Sequence, residues 1–189
     1  MSAPHAWRTA IPEVVVIEPR VHHDERGFFS ETFNRREFAR LGLDLEIVQD
    51  NHARSRRGVL RGLHFQDASA PQGKLVRCTR GLVFDVAVDL RVGSPTFGRW
   101  VAEELSEGNM RQLWIPPGFA HGYAVLSELA EVQYKCTGYY EPRAERSLAW
   151  NDPTVGIDWP ITSPVLSEKD ARAPTLAEYL EAPAFRWTG

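Results

Sequence analysis

The chain is poor in most of the features that mark a secreted scaffold, a membrane protein or a dinucleotide enzyme. It has two cysteines, Cys78 and Cys136, too few for a disulfide framework and without the paired spacing of a metal-binding set. Each lies in an apolar run that reads as a strand, so both are expected to be small core residues in a reducing compartment. No run approaches the roughly 18 consecutive apolar residues that a membrane span requires. Met1 to Arg20 has no long apolar stretch behind a basic start, so no signal peptide is visible and a cytoplasmic location is expected. Charge of one sign is not in excess: 22 basic against 25 acidic residues leave a net charge of −3. That gives no bulk attraction to nucleic acid or a membrane surface, while leaving room for a local basic cluster facing one phosphate-bearing ligand. A Gly-rich dinucleotide loop, internal repeats, low-complexity tracts and a domain linker are all missing. The 189 residues therefore read as one domain over 1–189 with an extended arm, long enough to bury a sizeable core.

What the chain does have is short runs of β-branched and aromatic residues separated by Gly, Pro, Asn and Asp. Strands are expected near Val14–Glu18, Gly27–Phe33, Glu46–Ala53, Val59–Gln66, Lys74–Thr79 and Leu82–Arg91. Others are expected near Arg99–Leu105, Gln112–Ile115, His121–Leu126, Glu131–Thr137 and Arg146–Trp150. Many short strands at this spacing indicate an all-β sandwich or barrel. The clearest alternation sets Phe84, Val86, Val88 and Leu90 against Asp85, Ala87, Asp89 and Arg91, giving one core face and one polar or functional face. Helices are few. Asn34 is placed to cap one over Arg35–Leu41 that Gly42 stops, and a second is expected over Thr175–Glu181, ended by Pro183.

Six histidines separate by setting. His5, His22 and His23 lie in polar N-terminal stretches and are expected to face solvent, and His52 is ambiguous. His64 and His121 sit in strands flanked by glycines, where backbone or ligand can approach closely. Histidines in a double-sheet barrel raise the possibility of a metal site, which commonly uses a His-x-His pair, a carboxylate and a further His. Here the partner position beside His64 is Gln66 and no suitable Glu follows, so no metal ligands are assigned.

Acid–base chemistry remains. His64 is expected to share a strand face with Leu60, Gly62 and Gln66, and Tyr134 to share one with Val132 and Cys136, directing its phenol inward. Asp170 lies in a Leu-Ser-Glu-Lys-Asp segment. Taken singly, each has an ordinary reading: a hydrogen-bonded core histidine, a core tyrosine with a satisfied hydroxyl, a helix-cap carboxylate. Arg61 and Lys74 lie within or at the start of apolar strands, where a cation is costly unless paired, so an anionic ligand is a reasonable partner. Arg61 and His64 are three residues apart and would face opposite ways on a regular strand. A bulge at Gly62 would realign them; otherwise they serve different parts of the site, or different subunits.

The segments Asp24-Glu25-Arg26-Gly27-Phe28-Phe29-Ser30-Glu31, Gln49-Asp50-Asn51, Gly58 through Gln66 and Gln72-Gly73-Lys74 together resemble the dTDP-4-dehydrorhamnose 3,5-epimerase family. So do the Pro-Pro-Gly-Phe-Ala-His-Gly run ending at Gly122, Tyr134-Lys135 through Tyr140, Gly156-Ile157-Asp158-Trp159 and Leu166 through Asp170. The similarity runs in order through almost the whole chain. It implies a cupin-type jelly roll, a double-stranded β-helix with short peripheral helices, forming a homodimer whose N-terminal strands cross to the partner. By the same resemblance His64 is the general base, Asp170 orients and polarises its imidazole, and Tyr134 is the general acid on the opposite face of the sugar. Arg26, Phe29, Glu31, Gln49, Asp50, Asn51, Arg61, Lys74, His121, Glu145 and Lys169 fall at positions expected to bind a dTDP-linked sugar. Tyr139 resembles an aromatic that stacks on the nucleotide base, and Arg26 and Glu31 are candidates to reach across the dimer.

The implied chemistry is physically coherent. A 4-keto group acidifies the hydrogens on C3 and C5, so their removal gives an enolate whose charge a cation near O4 stabilises; Lys74 is the first candidate. Inversion needs a base on one face and a proton donor on the other, and an imidazole with an ordinary pKa of about 6.5 is largely neutral at cellular pH. No net electrons move, so no redox cofactor is implied. Phe65, Tyr123 and Gly138 stand where the family more often has Tyr, Phe and a polar residue, which bears on which carbon is inverted rather than on reaction class. The alternatives are a C3-only epimerase of the same fold, a noncatalytic sugar-binding cupin and a metal-dependent cupin oxygenase.

Overall fold

Short spans of alternating polarity, each closed by a Gly, Asn or Asp turn, favour antiparallel strands joined by tight connections. The computed structural model describes residues 4–188. Its first elements are β1 His5–Arg8, β2 Val15–Glu18, β3 Val21–Asp24, β4 Gly27–Ser30, α1 Arg35–Arg40, β5 Gln49–Arg56, β6 Leu60–Gln66, β7 Lys74–Arg80 and β8 Leu82–Asp89. They continue with β9 Arg91–Val92, β10 Trp100–Ser106, β11 Gln112–Ile115, β12 Phe119–Val125, β13 Leu129–Cys136, β14 Glu145–Ser147, α2 Glu168–Ala171, α3 Leu176–Glu181 and β15 Phe185–Arg186. A six-stranded sheet runs β1-β2-β11-β7-β13-β5 and a five-stranded sheet runs β10-β8-β12-β6-β14. Every pairing within them is antiparallel. This is the expected all-β, double-sheet jelly roll with short peripheral helices.

Three apolar layers hold it. Between the sheets, Val16, Val76, Leu113 and Val132 of one meet Val83, Val101, Leu105, Phe119 and Val125 of the other. The outer face of the five-stranded sheet offers Leu63, Phe65, Val86, Val88 and Leu90, covered by Leu148, Val155, Leu176 and Tyr179 of the C-terminal segment. The outer face of the six-stranded sheet offers Val15, Ile17, Leu75 and Trp114, covered by Phe38 of α1 and by Leu45. Burying a Leu, Val or Phe side chain contributes about 1.5–3 kcal/mol relative to leaving it in water, so these covers are part of the fold rather than decoration. Asp152 pins the C-terminal cover. Its buried carboxylate accepts from the backbone N–H groups of Thr154, Val155 and Leu176 at 2.8, 3.0 and 2.7 Å. The Tyr179 hydroxyl donates to the Leu90 carbonyl at 2.7 Å.

Strand β8 departs from the simple one-sided reading. Its apolar face lies under the C-terminal cover, while Asp85, Ala87 and Asp89 project between the sheets, and all three are fully buried. The alternation is real, but both faces are interior. The helices follow their caps: the Asn34 side chain accepts from the Arg36 N–H at 3.1 Å, and Thr175 and Glu178 form a reciprocal capping box. Gly42 ends the first in a left-handed conformation, φ +81°.

Several boundaries shift. The strand expected over Gly27–Phe33 stops at Ser30, because it belongs to an exposed two-stranded hairpin with β3 rather than to a sheet. Val21–Asp24 was not expected as a strand, since a Val-His-His-Asp run shows no apolar face. His22 and His23 are exposed on it, and His5 is exposed on β1. The strand expected over Arg146–Trp150 is confined to Glu145–Ser147, after which Leu148 and Ala149 turn into the C-terminal cover. Cys78 and Cys136 are buried free thiols, as expected.

Asp89 supports a test of the fold. Its carboxylate accepts from Arg91 Nε and Nη2 at 2.8 and 2.7 Å and from the Ser94 and Thr96 hydroxyls, each at 2.6 Å. Burial alone would raise its pKa, but these donors hold it below the ordinary carboxylate value. Removing one partner of a buried ion pair costs about 3–5 kcal/mol, so Asp89→Ala should lower the unfolding free energy at pH 7 by that order. Because the folded pKa is depressed, this contribution is complete well above pH ~4 and is lost as pH falls through the folded value. Urea titrations of both proteins at fixed concentration from pH 7 to pH 3 check it: the gap should narrow with acid, and a constant gap would contradict the assignment.

Candidate active site

The site begins with a packing constraint. On β6, Gly62 has φ +130°, and a Cβ there would lie 2.5 Å from the Cα of Gly122 and 2.9 Å from the His121 carbonyl oxygen. The two glycines let β6 and β12 approach closely, and β6 carries one extra residue: His121 pairs with His64, whereas Tyr123 pairs with Arg61. His121 and Tyr123 share a face of β12, so Arg61 and His64 share one too. The bulge at Gly62 is therefore present. It also removes Leu60 from the face of His64, contrary to simple parity, and Leu60 pairs instead with Ala124.

His64 Nε2 lies 2.6 Å from Asp170 Oδ1. Asp170 is 3% exposed while the His64 side chain is 31% exposed, so the ring is anchored at one edge and open at the other. The Ser167 hydroxyl oxygen caps α2 by accepting from the Asp170 N–H at 3.1 Å. Burial alone would raise the Asp170 pKa, but the hydrogen bond and charge of His64, the Ser167 hydroxyl and the Gly62 backbone keep it below the ordinary value. Asp170 thus remains an anion. With Nε2–H directed at Asp170, Nδ1 of a neutral ring carries the free lone pair.

The opposite wall comes from the six-stranded sheet. Tyr134 pairs with Asn51 and Val76, and Cys136 pairs with Gln49 and Lys74, so Tyr134, Asn51, Gln49, Lys74 and Cys136 project to one interior face. The Lys74 ammonium donates to the His64 carbonyl at 3.5 Å and lies 5.8 Å from the Tyr134 ring centre, between the two walls. Burial lowers the Lys74 pKa, opposed by Cys136, Asp85 and Glu145. Burial raises that of Tyr134, which therefore holds its proton at neutral pH. Behind Lys74, the buried His121 Nε2 lies 3.0 Å from Asp85 Oδ2, and burial pushes the imidazole pKa down against the pull of that carboxylate. The cavity between the walls has a volume of about 270 Å³ and is lined by Gln49, Asn51, His64, Lys74, Tyr134 and Glu145 among others. At its rim Lys169 lies 2.6 Å from Glu145, and the Tyr140 hydroxyl donates to Glu145 at 3.1 Å. Arg61 Nε donates to the Ser55 hydroxyl at 2.9 Å.

The remaining expected residues lie apart from this cluster. Asp50 alternates with Gln49 and Asn51, so it points to the other face and pairs with Lys135 at 2.9 Å. Arg26 pairs with Asp24 in the β3–β4 turn, and Glu31 accepts from Asn34 at 3.1 Å. Phe29 is 68% exposed and borders a separate hollow with Arg77, Thr79 and Met110. Tyr139 is 72% exposed, and it is its neighbour Tyr140 that lines the cavity. Residues that the sequence reading did not select include Gln72, Tyr140 and Asp85. The polar phase of β8 was a signal for Asp85; nothing local marked Tyr140 over Tyr139.

A family model described as dTDP-4-dehydrorhamnose 3,5-epimerase matches residues 8–178. The dTDP-4-dehydrorhamnose 3,5-epimerase of Pseudomonas aeruginosa is 59% identical over 175 residues, spanning 92% of this chain and 96% of the relative. That of Salmonella typhimurium is 57% identical with the same coverage. Among solved structures, the dTDP-6-deoxy-D-glucose-3,5-epimerase of Legionella pneumophila in complex with dTDP-4-keto-L-rhamnose superposes with a TM-score of 0.94 at 49% identity. It covers 98% of this chain and 100% of the other.

The glycine contact can be tested directly. Gly62→Ala places a methyl group against the Gly122 backbone at a φ that L-residues rarely adopt. A loss of about 2 kcal/mol or more is expected, with turnover impaired because β6 must shift beneath His64. Thermal unfolding and initial rates check this; an unchanged midpoint and rate would show that the close approach is not required.

Proposed function

The chain belongs to the dTDP-4-dehydrorhamnose 3,5-epimerase family, and from that premise we propose that it inverts C3 and C5 of dTDP-4-dehydro-6-deoxy-D-glucose to give dTDP-4-dehydro-L-rhamnose. The observation that carries this reading is the opposition of two proton-handling groups across one cavity. His64, anchored to Asp170, stands on the five-stranded sheet, Tyr134 stands on the six-stranded sheet, and the Lys74 ammonium lies between them. The relatives' names and the ligand of the Legionella enzyme agree with it.

In this mechanism His64 Nδ1 takes the hydrogen on C3 or C5 as a proton. The C–H electron pair becomes the enolate double bond, and the negative charge reaches O4, beside Lys74. Asp170 stabilises the imidazolium and holds the ring in its tautomer without itself being protonated. Tyr134 then delivers its phenolic proton to the opposite face of the same carbon. Solvent restores the phenol and removes the proton from His64. Electrons are conserved within the sugar, so the reaction needs no redox cofactor.

Gln49, Asn51, Arg61, His121, Glu145 and Lys169 contact the substrate, with Tyr139 against the base of the nucleotide. Arg26, Phe29 and Glu31 serve the site of a second copy in a homodimer; the exposed Phe28 and Phe29 on a hairpin outside both large sheets support that arrangement. Asp50 has a supporting role through Lys135. The whole chain acts as one jelly-roll domain with a C-terminal extension. Among the described residues no helix is long and apolar enough to cross a membrane, and we assign the protein to the cytoplasm.

Product analysis in deuterated water is the decisive experiment. Purified dTDP-4-dehydro-6-deoxy-D-glucose should yield product inverted and deuterated at both C3 and C5 by NMR. Inversion at C3 with C5 stereochemistry unchanged would assign the C3-only activity instead. His64→Gln should reduce turnover at least ~10²-fold, the low end for a positioned base, with dTDP binding retained. Tyr134→Phe should impair inversion more than label exchange. Activity should also survive exhaustive chelation, since Gln66 stands at the second-ligand position; activity lost to chelator and restored by metal would overturn the acid–base mechanism.

A further inference from the structure

Gln66 is the cavity residue whose chemistry the mechanism leaves unused. It is 5% exposed, and its side-chain amide is fully occupied. Nε2 donates to the carbonyls of Ala70 and Tyr139 at 2.8 and 3.1 Å, and Oε1 accepts from the Glu141 N–H at 2.7 Å. With both N–H groups committed, it has no donor left for a ligand. Two other glutamines grip the same loop from different elements. Gln49 of β5 accepts from the Tyr140 N–H at 2.9 Å, and Gln72, just before β7, donates to the Gly138 carbonyl at 2.7 Å. Successive backbone groups of residues 138–141 are thus held by side chains of the cavity wall rather than by a sheet ladder. The same loop carries Tyr139 and Tyr140, 72% and 52% exposed, and Tyr140 lines the cavity.

We infer that Gln66, assisted by Gln49 and Gln72, is a positioning residue that sets the Tyr139–Tyr140 pair as a platform for the planar base of the nucleotide, and so governs substrate affinity rather than the chemical step. This rests on the nucleotide-sugar reading given above. The residue type follows from the task. The Tyr139 carbonyl requires a donor and the Glu141 N–H requires an acceptor, and an amide supplies both without a buried charge. A glutamate at this position keeps the acceptor but turns lone pairs toward two carbonyls; a histidine, lysine or arginine cannot meet both demands in the same geometry. Gln49 connects the loop to the reacting end: its Nε2 donates to Asn51 Oδ1 at 3.1 Å. The orientation of the Asn51 amide is thereby tied to the loop.

The test measures KM, kcat and the Kd for free dTDP in the full-length wild type and in Gln66→Met and Gln66→Glu. Gln66→Met should raise KM and the dTDP Kd about tenfold, equivalent to losing one or two net hydrogen bonds of loop restraint. Its kcat should stay within about threefold of wild type. Gln66→Glu should raise both at least as much as Gln66→Met, because a buried carboxylate oxygen would face the Ala70 and Tyr139 carbonyls. In a background carrying Tyr139→Ala and Tyr140→Ala, Gln66→Met should add no further loss of dTDP affinity, because the platform it positions is gone. A fall in kcat with KM and Kd unchanged, or a fully additive loss in the tyrosine-free background, would overturn the inference. If Gln66→Met does not fold, Gln72→Met removes an independent restraint on the same loop, and the same split is required of it. A wild-type protein that neither binds dTDP nor turns over the sugar would defeat the functional reading and this inference with it, distinguishable because no variant is involved.

Discussion

The close contact of Gly62 with Gly122 is the constraint on which the site depends. Antiparallel strands place alternate side chains on opposite faces, and a regular β6 would have directed Arg61 and His64 to different sides of its sheet. One additional residue, accommodated where neither strand carries a Cβ, brings both to one face. Ordinary alternation about His64 sends Leu63 and Phe65 outward, where they join the layer beneath the C-terminal segment. The irregularity is thus confined to the alignment of Arg61 with His64.

Around that contact, the interior changes character along the barrel. Val, Leu and Phe from both sheets form an apolar cluster, and Lys74, His121, Asp85, Tyr134 and the His64–Asp170 pair are set against it. Each polar group is held by a partner whose influence opposes burial. Asp170 is kept anionic by His64 and Ser167, and Asp85 resists the loss of basicity that burial imposes on His121. Tyr134 is the exception, since burial acts on its phenol with little opposition and strengthens its hold on the proton. A site arranged in this way carries its charge in fixed positions before a substrate arrives, so little reorganisation accompanies the reaction.

Much of this was legible in the sequence, and what was not has physical reasons. Most strands of the two sheets declare themselves by short apolar runs or an apolar alternate face, although β1 was not expected, and the helix starts at Asn34 and Thr175 follow from side chains that satisfy free N–H groups. The β3–β4 hairpin was invisible because it buries nothing and so shows no apolar rhythm. The second face of β8 is polar, as expected, but buried, and its Asp85 and Asp89 are held by His121, Arg91, Ser94 and Thr96. At the site, parity directed Tyr134 inward, the cost of an unpaired cation in an apolar strand singled out Lys74, and the anomaly of Arg61 and His64 pointed to the bulge. Asp50 shows the limit of segment resemblance: Gln49-Asp50-Asn51 is continuous in sequence, but alternation sends its middle member outward to Lys135. The loop that Gln66 holds could not be read, because a glutamine that binds backbone leaves no periodic trace.

The segment that supplies Asp170 follows every strand of the two large sheets in the chain and also roofs the five-stranded sheet through Leu176 and Tyr179. During synthesis the barrel strands are therefore all available before His64 acquires its carboxylate partner. A nascent or clipped chain whose roof has not docked exposes an apolar sheet face and, at the same time, leaves His64 unanchored. The anchoring of His64 is in this sense tied to the closing of the final layer.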